Sequence, residues 1–306
     1  MNTQVETKAQ LSRSESKQIL KSPELKVLNA RSNWKGLIQL AGHIGVMGVS
    51  GYLWATADWL IKLPALIVYG FSFAAMFAPL HESSHRTAFA SNRLNDTVAW
   101  IAGLLSFYNS DFYRRYHKWH HRYAQVEGKD PELDDPKPSN FWEYLVELSG
   151  FNWWVGKFIT HYRVATGKLE DYFYIAEDAR DEVIRSTRLQ LAVYAGAIAI
   201  SLIYGQPWFF TMWLLPLAVG QPILRYILLA EHTGCTNDDN PLTNTRTTRT
   251  LFPFIVWNIP FHAEHHLYPS IPFHALPHAH QELKKHFEVV ENGYVKVHQN
   301  IVDSLL

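Results

Sequence analysis

Four long apolar stretches interrupt an otherwise polar chain: Gly36–Ala55, Trp59–Leu80, Thr187–Tyr204 and Pro207–Leu229. At a rise of roughly 1.5 Å per residue, a helix of about 20 residues crosses the ~30 Å hydrocarbon layer of a bilayer. The first two stretches are separated by Thr56-Ala57-Asp58 and the last two by the turn-like Gly205-Gln206-Pro207, so the pattern predicts two helical hairpins. A fifth stretch, Val98–Tyr108, is too short to cross and reads as a partly inserted or interfacial helix. Gly42, Gly45, Gly48 and Gly51 recur every third residue along the first segment and predict a smooth side for close helix approach. Lys62, near the start of the second, is placed to snorkel to the boundary. Residues 1–34 are polar, with Lys8, Arg13, Lys17, Lys21, Lys26 and Arg31, and read as a cytoplasmic tail or surface helix without a cleavable signal.

The links inside each hairpin carry no Lys or Arg. The tail, residues 81–186 and the stretch after Leu229 carry nearly all the positive charge and are expected on the cytoplasmic side. The expected fold is therefore all-α and integral to the membrane: four transmembrane helices in two hairpins, interfacial helices, and a cytoplasmic histidine-rich cap. A tail over 1–34 precedes one membrane domain over 35–306, with spans at about 36–55, 59–80, 187–204 and 207–229. Gln39, His43, Gln190 and Gln221 within these segments leave a soluble bundle of buried helices as the alternative.

Composition narrows the chemistry. Lys+Arg and Asp+Glu are both 28, so net charge offers no argument for nucleic acid as a partner. Cys235 is the sole cysteine, which excludes an intrachain disulfide and a cysteine-built zinc or iron–sulfur site within one chain. Sixteen histidines point instead to metal sites built from imidazole, which suits iron, zinc and copper alike.

Nine of those histidines are organised. His81 and His85 frame HESSH directly after the second apolar segment; His117, His120 and His121 form HKWHH; His262, His265 and His266 form HAEHH; and His232 follows the fourth segment. Residues at i, i+3 and i+4 share a helix face, so each cluster is expected to present one imidazole face. Converging, these faces supply nitrogens for two metals of four or five ligands each, with Glu82, Glu231 and Glu264 nearby to orient ring N–H groups. A single His-x-x-His-His is more often a surface patch than a ligand set. Three clusters beside membrane boundaries on one side are a different matter. HESSH alone also fits the H-E-x-x-H of a zinc protease, with Glu82 as general base. That reading leaves the other clusters without a role, and the chain has no Asp-Gly dipeptide around which intramembrane metalloproteases usually place a third ligand.

These residues resemble the membrane fatty acid desaturase superfamily, whose hallmark is three histidine boxes in the order seen here, over roughly Ala78 to Pro277. HESSHRTAF (81–89), NTRTTRT (244–250) and WNIPFHAEHHLYP (257–269) look like a bacterial branch that includes desaturases of unusual small substrates. The resemblance implies that the box histidines and His232 bind two irons (Fe2+/Fe3+), with O2 as co-substrate. It implies removal of hydrogen from a fatty acyl or related lipid chain to form a double bond, or, as the alternative, hydroxylase or ketolase chemistry on a lipid or carotenoid. A degenerate, non-enzymatic relative is a third reading. His262 opens the third box where front-end desaturases carry glutamine. No His-Pro-Gly-Gly motif is present, so electrons are expected from a separate donor, ferredoxin or cytochrome b5.

Other residues carry weaker expectations. His43 is expected to hydrogen-bond a neighbouring helix rather than bind metal, and for His161 support of the site from outside is only the alternative reading. His274, His278 and His280 read as a solvated group, and Trp153-Trp154 as an interfacial belt. Gln221-Pro222 is expected to kink the fourth segment. Asp111, Asp130 and Asp134 read as solvated acids with a supporting role as the alternative. Arg114, Arg115, Lys118 and Arg122 follow the positive-inside pattern, or else pair with an anionic head group.

Overall fold

The computed structural model describes residues 13–135 and 137–306; residues 1–12 of the tail lie outside it. Two short helices, α1 (Arg13–Ser16) and α2 (Ser22–Leu28), lead into α3 (Asn33–Thr56), α4 (Trp59–Ala74) and α5 (Phe77–Ser84). After these come α6 (Asn92–Leu105), α7 (Ser110–Tyr123), α8 (Phe141–Ser149), α9 (Phe151–Ala165), α10 (Glu177–Ile203) and α11 (Leu215–His232). The C-terminal part holds α12 (His262–Leu267), α13 (Leu276–Leu283), α14 (Tyr294–Leu305) and a small parallel pairing of β1 (Thr247–Arg249) with β2 (Val290–Asn292).

Four helices are long and apolar enough to span a membrane: Asn33–Thr56, Trp59–Ser84, Glu177–Ile203 and Phe210–His232. They are the four expected from the sequence, and the third begins ten residues before Thr187. Local chemistry sets the boundaries. Ser32 accepts the Lys35 amide at the start of α3, Asn109 accepts the Asp111 and Phe112 amides at the start of α7, and Asn140 accepts the Glu143 amide at the start of α8. Of the stretch Val98–Tyr108, the part up to Leu105 lies in α6, which is shorter than a span and packs beside α5.

Irregular backbone within a bilayer must find its hydrogen bonds inside the protein. The fourth span opens with a wide turn over Phe210–Leu214, and there the Trp54 indole donates to the Thr211 carbonyl at 2.9 Å while the Tyr69 hydroxyl donates to the Met212 carbonyl at 2.8 Å. His43 behaves as expected of a helix-bridging residue: its Nε2 lies 2.7 Å from the Ser72 carbonyl, and its Nδ1 accepts from the Trp257 indole at 3.2 Å.

The glycine stripe admits close approach only at Gly51, where an added Cβ would lie 3.0 Å from the Tyr69 ring of α4. A Cβ added to Gly42, Gly45 or Gly48 would meet nothing within 4 Å, so that side faces outward. The tight crossing is α4 on α11, where a Cβ on Gly220 would lie 1.9 Å from the Gly70 carbonyl oxygen. Backbone cannot retreat as a flexible side chain can. Gly220→Ala is therefore expected to force the two central helices apart and to destabilise the fold by about 1–3 kcal/mol. Thermal denaturation in detergent should show a clear drop in midpoint, and an unchanged midpoint would refute the crossing.

This crossing matters because α4–α5 and α11 each end in histidine. The turns at Ala57-Asp58 and 204–209 lie at one end of the hairpins, and His81, His85 and His232 lie at the other. α7 and α12 bring the remaining clusters to that same end, under a cap built on Leu267, Ile271, Leu276 and Leu283.

Candidate metal centre

The nine histidines gather into two adjoining groups. His81, His85, His117, His121 and His265 form the first, and His120, His232, His262 and His266 the second; within each, the ligand nitrogens lie within 4.8 Å of one another. The boxes do not each present a single face. On α7, His117 and His121 turn to the first group while His120 turns to the second. On α12, His262 and His266 turn to the second group and His265 to the first. The i, i+4 pair of each box thus serves one site and its i+3 member the other, which is how two short helices knit two sites together. The His121 and His266 rings stack across the divide with centroids 4.1 Å apart.

The nitrogens are arranged as ligands of an absent cation would be. His117 and His121 Nε2 are 3.0 Å apart, His262 and His266 Nε2 3.1 Å, His232 and His262 Nε2 3.2 Å, and His120 and His266 Nε2 3.3 Å. Metal–imidazole bonds of about 2.1 Å, as for zinc, space neighbouring ligand nitrogens by about 3 Å. Both ring nitrogens of His81 and of His265, and Nε2 of His85, are buried with no hydrogen-bond partner. Buried polar atoms normally have partners; these orphaned nitrogens all belong to the first group and fit a metal ion there, while the close Nε2 spacings in the second group fit another.

Electrostatics favour the ligand form. Burial first, and then the neighbouring imidazoles, hold His85, His117, His121, His262, His265 and His266 well below the ordinary histidine range, so they stay neutral with lone pairs available. His120 departs in the other direction. Burial works to lower it, but the Glu132 and Asp130 carboxylates outweigh burial and raise it.

Surrounding residues fix the rings. His120 Nδ1 lies 2.9 Å from Asp130 Oδ1, and Asp130 is itself held by the Gln125 and Glu132 amides. His232 Nδ1 lies 2.9 Å from the Asn244 carbonyl. Both contacts leave Nε2 directed into the cluster. Replacing Asp130 by Asn is accordingly expected to weaken metal retention about 10- to 100-fold. Competition with a graded series of chelators checks this, and wild-type retention would refute it.

Of the carboxylates expected to orient the boxes, Glu231 Oε2 lies 3.4 Å from His262 Nε2, and Glu82 Oε1 lies 3.6 Å from His81 Nδ1. The Glu82 carboxylate accepts the Thr87 hydroxyl and the Phe273 amide, so it is engaged in tying α5 to the cap rather than placed as a base. Glu264 turns away from the boxes, accepting from Thr247 at 2.6 Å and meeting His280 Nδ1. His280 is therefore a buried packing partner and not part of a solvated group; His278 is exposed, and His274 is half-buried beside Lys35. Trp153 is likewise buried, donating to the Tyr108 hydroxyl at 2.8 Å, instead of sitting in an interfacial belt. His161 lies outside both groups, with Nδ1 2.7 Å from the Lys157 carbonyl. Arg246 escaped the sequence reading: it is buried and its guanidinium donates to the Ala230 carbonyl, fixing the end of α11 just before His232.

One cavity of about 730 Å3 reaches this cluster, walled on one side by His81, His117, His232 and His262 and floored by Phe77 and Tyr113.

A four-helix membrane protein with two polyhistidine sites at one end of its hairpins is the class that fold and geometry define. Residues 57–298 match the sequence model described as fatty acid desaturase, and the chain belongs to that family. It is similar to an sn-1 oleoyl-lipid 12-desaturase of Picosynechococcus sp., with 26% identity over 185 residues, covering 58% of this chain and 50% of that relative. It is also similar to a sphingolipid delta(4)-desaturase of Gallus gallus, with 25% identity over 272 residues, 83% of this chain and 76% of the relative.

Proposed function

We propose that the protein is an O2-dependent di-iron desaturase that introduces a double bond into an aliphatic chain of a fatty acyl or related lipid. The observation that carries this reading is the division of nine histidines into a five-membered and a four-membered nitrogen cage side by side. His81, His85, His117, His121 and His265 would hold one iron; His120, His232, His262 and His266 the other. Irons so held would supply, with O2, the oxidising power to remove hydrogen from an unactivated C–H bond, chemistry that no side chain here provides alone.

The protein's part is to hold, orient and exclude. Burial keeps six of the rings neutral, Asp130 and the Asn244 carbonyl fix ring orientation, and the aromatic side chains lining the cavity would keep a chain away from water beside the histidine wall. Loss of hydrogen from two adjacent carbons leaves an alkene, so the cavity must present two neighbouring methylenes to that wall. Electrons would come from a separate donor, ferredoxin or cytochrome b5, and the concentration of Lys and Arg in the histidine-bearing segments supports a cytoplasmic position for that end.

Expression followed by metal analysis and profiling of cellular lipids, against a His120→Ala control, tests the proposal. The expected result is about two irons per chain, one for each ligand group, with a new unsaturated species that the control lacks. A new alcohol would reassign the reaction to hydroxylation. One zinc per chain and no oxidised product would end it.

A further inference from the structure

The cavity that meets the metal centre also contains two cations that the proposed chemistry does not use. Arg225 lies inside the fourth span, seven residues before His232. Seven residues are close to two helical turns, so Arg225 shares the His232 face of α11 and sits on the order of 10 Å along the axis from it. Lys157 reaches in from α9. Both line the cavity, and Tyr108 joins them: the Lys157 ammonium lies 3.6 Å from the Tyr108 ring centroid, and the Arg225 guanidinium is 3.3 Å from its hydroxyl. Trp153 donates to the same hydroxyl and fixes the ring.

What these cations lack is a carboxylate in direct contact; Glu132 and Glu231 act on Arg225, and Asp135 on Lys157, only from a distance. Arg114 pairs with Asp96, and Arg115 with Glu182, so two of the basic residues that the sequence offered as head-group partners are already engaged. Among the described residues, Lys157 and Arg225 have no carboxylate at ion-pair distance, and Arg225 Nε is buried without an acceptor. A charge within a membrane span is costly and marks function by default, with its partner to be sought nearby. Burial and the neighbouring Arg225 charge lower the Lys157 ammonium to about 7, with Asp135 acting the other way. The opposite polarity lies at the metal end, where Glu132 and Glu231 line the cavity. An anionic group entering this space finds direct donors at Lys157 and Arg225, while Glu132 and Glu231 disfavour its settling against the histidines.

We propose that Lys157 and Arg225, bridged by Tyr108, form a seat for an anionic group of the substrate, holding it so that the attached chain lies along the histidine wall. The substrate class is thus an aliphatic molecule with a carboxylate or phosphate drawn into the protein, not an uncharged hydrocarbon. This rests on the desaturase reading for what happens at the far end, but the seat itself is tested by binding alone.

The test uses full-length, metal-loaded protein in detergent and three probes: dodecanoate, dodecanol and dilauroyl phosphatidylglycerol. Dodecanoate is expected to bind at least about tenfold more tightly than dodecanol, as befits a charge-assisted contact. Arg225→Gln and Lys157→Gln should each remove most of that preference while leaving metal content and dodecanol affinity unchanged, and Arg225→Lys should restore part of it. If phosphatidylglycerol rather than dodecanoate shows the preference and the same sensitivity, the seat holds a lipid phosphate. Equal binding of all three probes, or a preference that survives both substitutions, overturns the proposal. Because the two cations stand on separate helices, misfolding of one variant leaves the other to decide. A protein that keeps the preference yet yields no oxidised product would retain the seat and lose the desaturase reading; an active protein without the preference would do the reverse.

Discussion

Replacing His266 with alanine is expected to abolish oxidation and to halve the metal content, whereas replacing His85 should abolish oxidation with much less metal lost. The difference follows from the ligand count. His266 belongs to the four-membered group, so its loss leaves three nitrogens; His85 belongs to the five-membered group, so its loss leaves four. A site left with four imidazoles can still be filled by protein alone, while one left with three must take water at its open position and is expected to release its cation more readily. Activity should fall in both cases by about a thousandfold or more, equivalent to roughly 4 kcal/mol of barrier, because the reaction needs both metals correctly held. His266 also contacts His120 and His262 through Nε2, so its removal loosens two further ligands. Metal per chain, turnover and melting temperature measured on the same preparations separate these effects. Equal metal content in the two variants, or more than a tenth of wild-type activity in either, would refute the division of the nine rings.

That division could not be read from the chain. Periodicity located the four spans and the clusters at their ends, because an apolar run and an i, i+4 spacing are local properties. The assignment of His120 apart from His117 and His121 depends instead on where α12 and α11 lie against α7, which no local pattern encodes. The errors have the same origin. His280 looked solvated because it follows Pro272 and Pro277 and falls outside box spacing, yet Glu264, buried beneath the third box, takes it as a partner. Glu264 was expected to orient a box histidine, but α12 points it to the opposite face, toward β1. The glycine stripe on α3 had its expected consequence only at Gly51, beside Tyr69; its other three members face outward. Close approach needs a facing backbone as well as a missing side chain, and Gly70 and Gly220 supply that from two segments 150 residues apart. Asp130 was named only as a possible support, since an acid in a polar loop gives no sign that two amides will hold it against a ring.

Stripping the metals is expected to leave a cap that comes apart on mild acidification. Six histidines outside the spans, His85, His117, His121, His262, His265 and His266, are held well below their unfolded value of 6.5 by burial and by one another. A base whose folded pKa is lowered stays neutral in the fold while its unfolded counterpart takes up a proton. Its full contribution is therefore present above pH 6.5 and is lost as pH falls below it, at up to about 1.4 kcal/mol per pH unit for each group. Were all six to remain neutral at one unit below 6.5, the loss would be on the order of 8 kcal/mol, comparable to the entire stability of a typical domain. His120 runs the other way: raised above 6.5, its contribution is complete below that value and disappears as pH rises through its folded pKa. One group opposes six, so the net slope is toward acid lability. Bound metal competes with protons for the same nitrogens and should shift the transition to lower pH, with metal release and loss of cap structure coinciding. Near-ultraviolet circular dichroism and bound metal, followed together from pH 7.5 to 5 with and without a chelator, give the measurement. A chelated protein whose cap signal is unchanged at about pH 5 would mean that these rings take up protons freely while folded, and hence that they do not face one another across two shared sites.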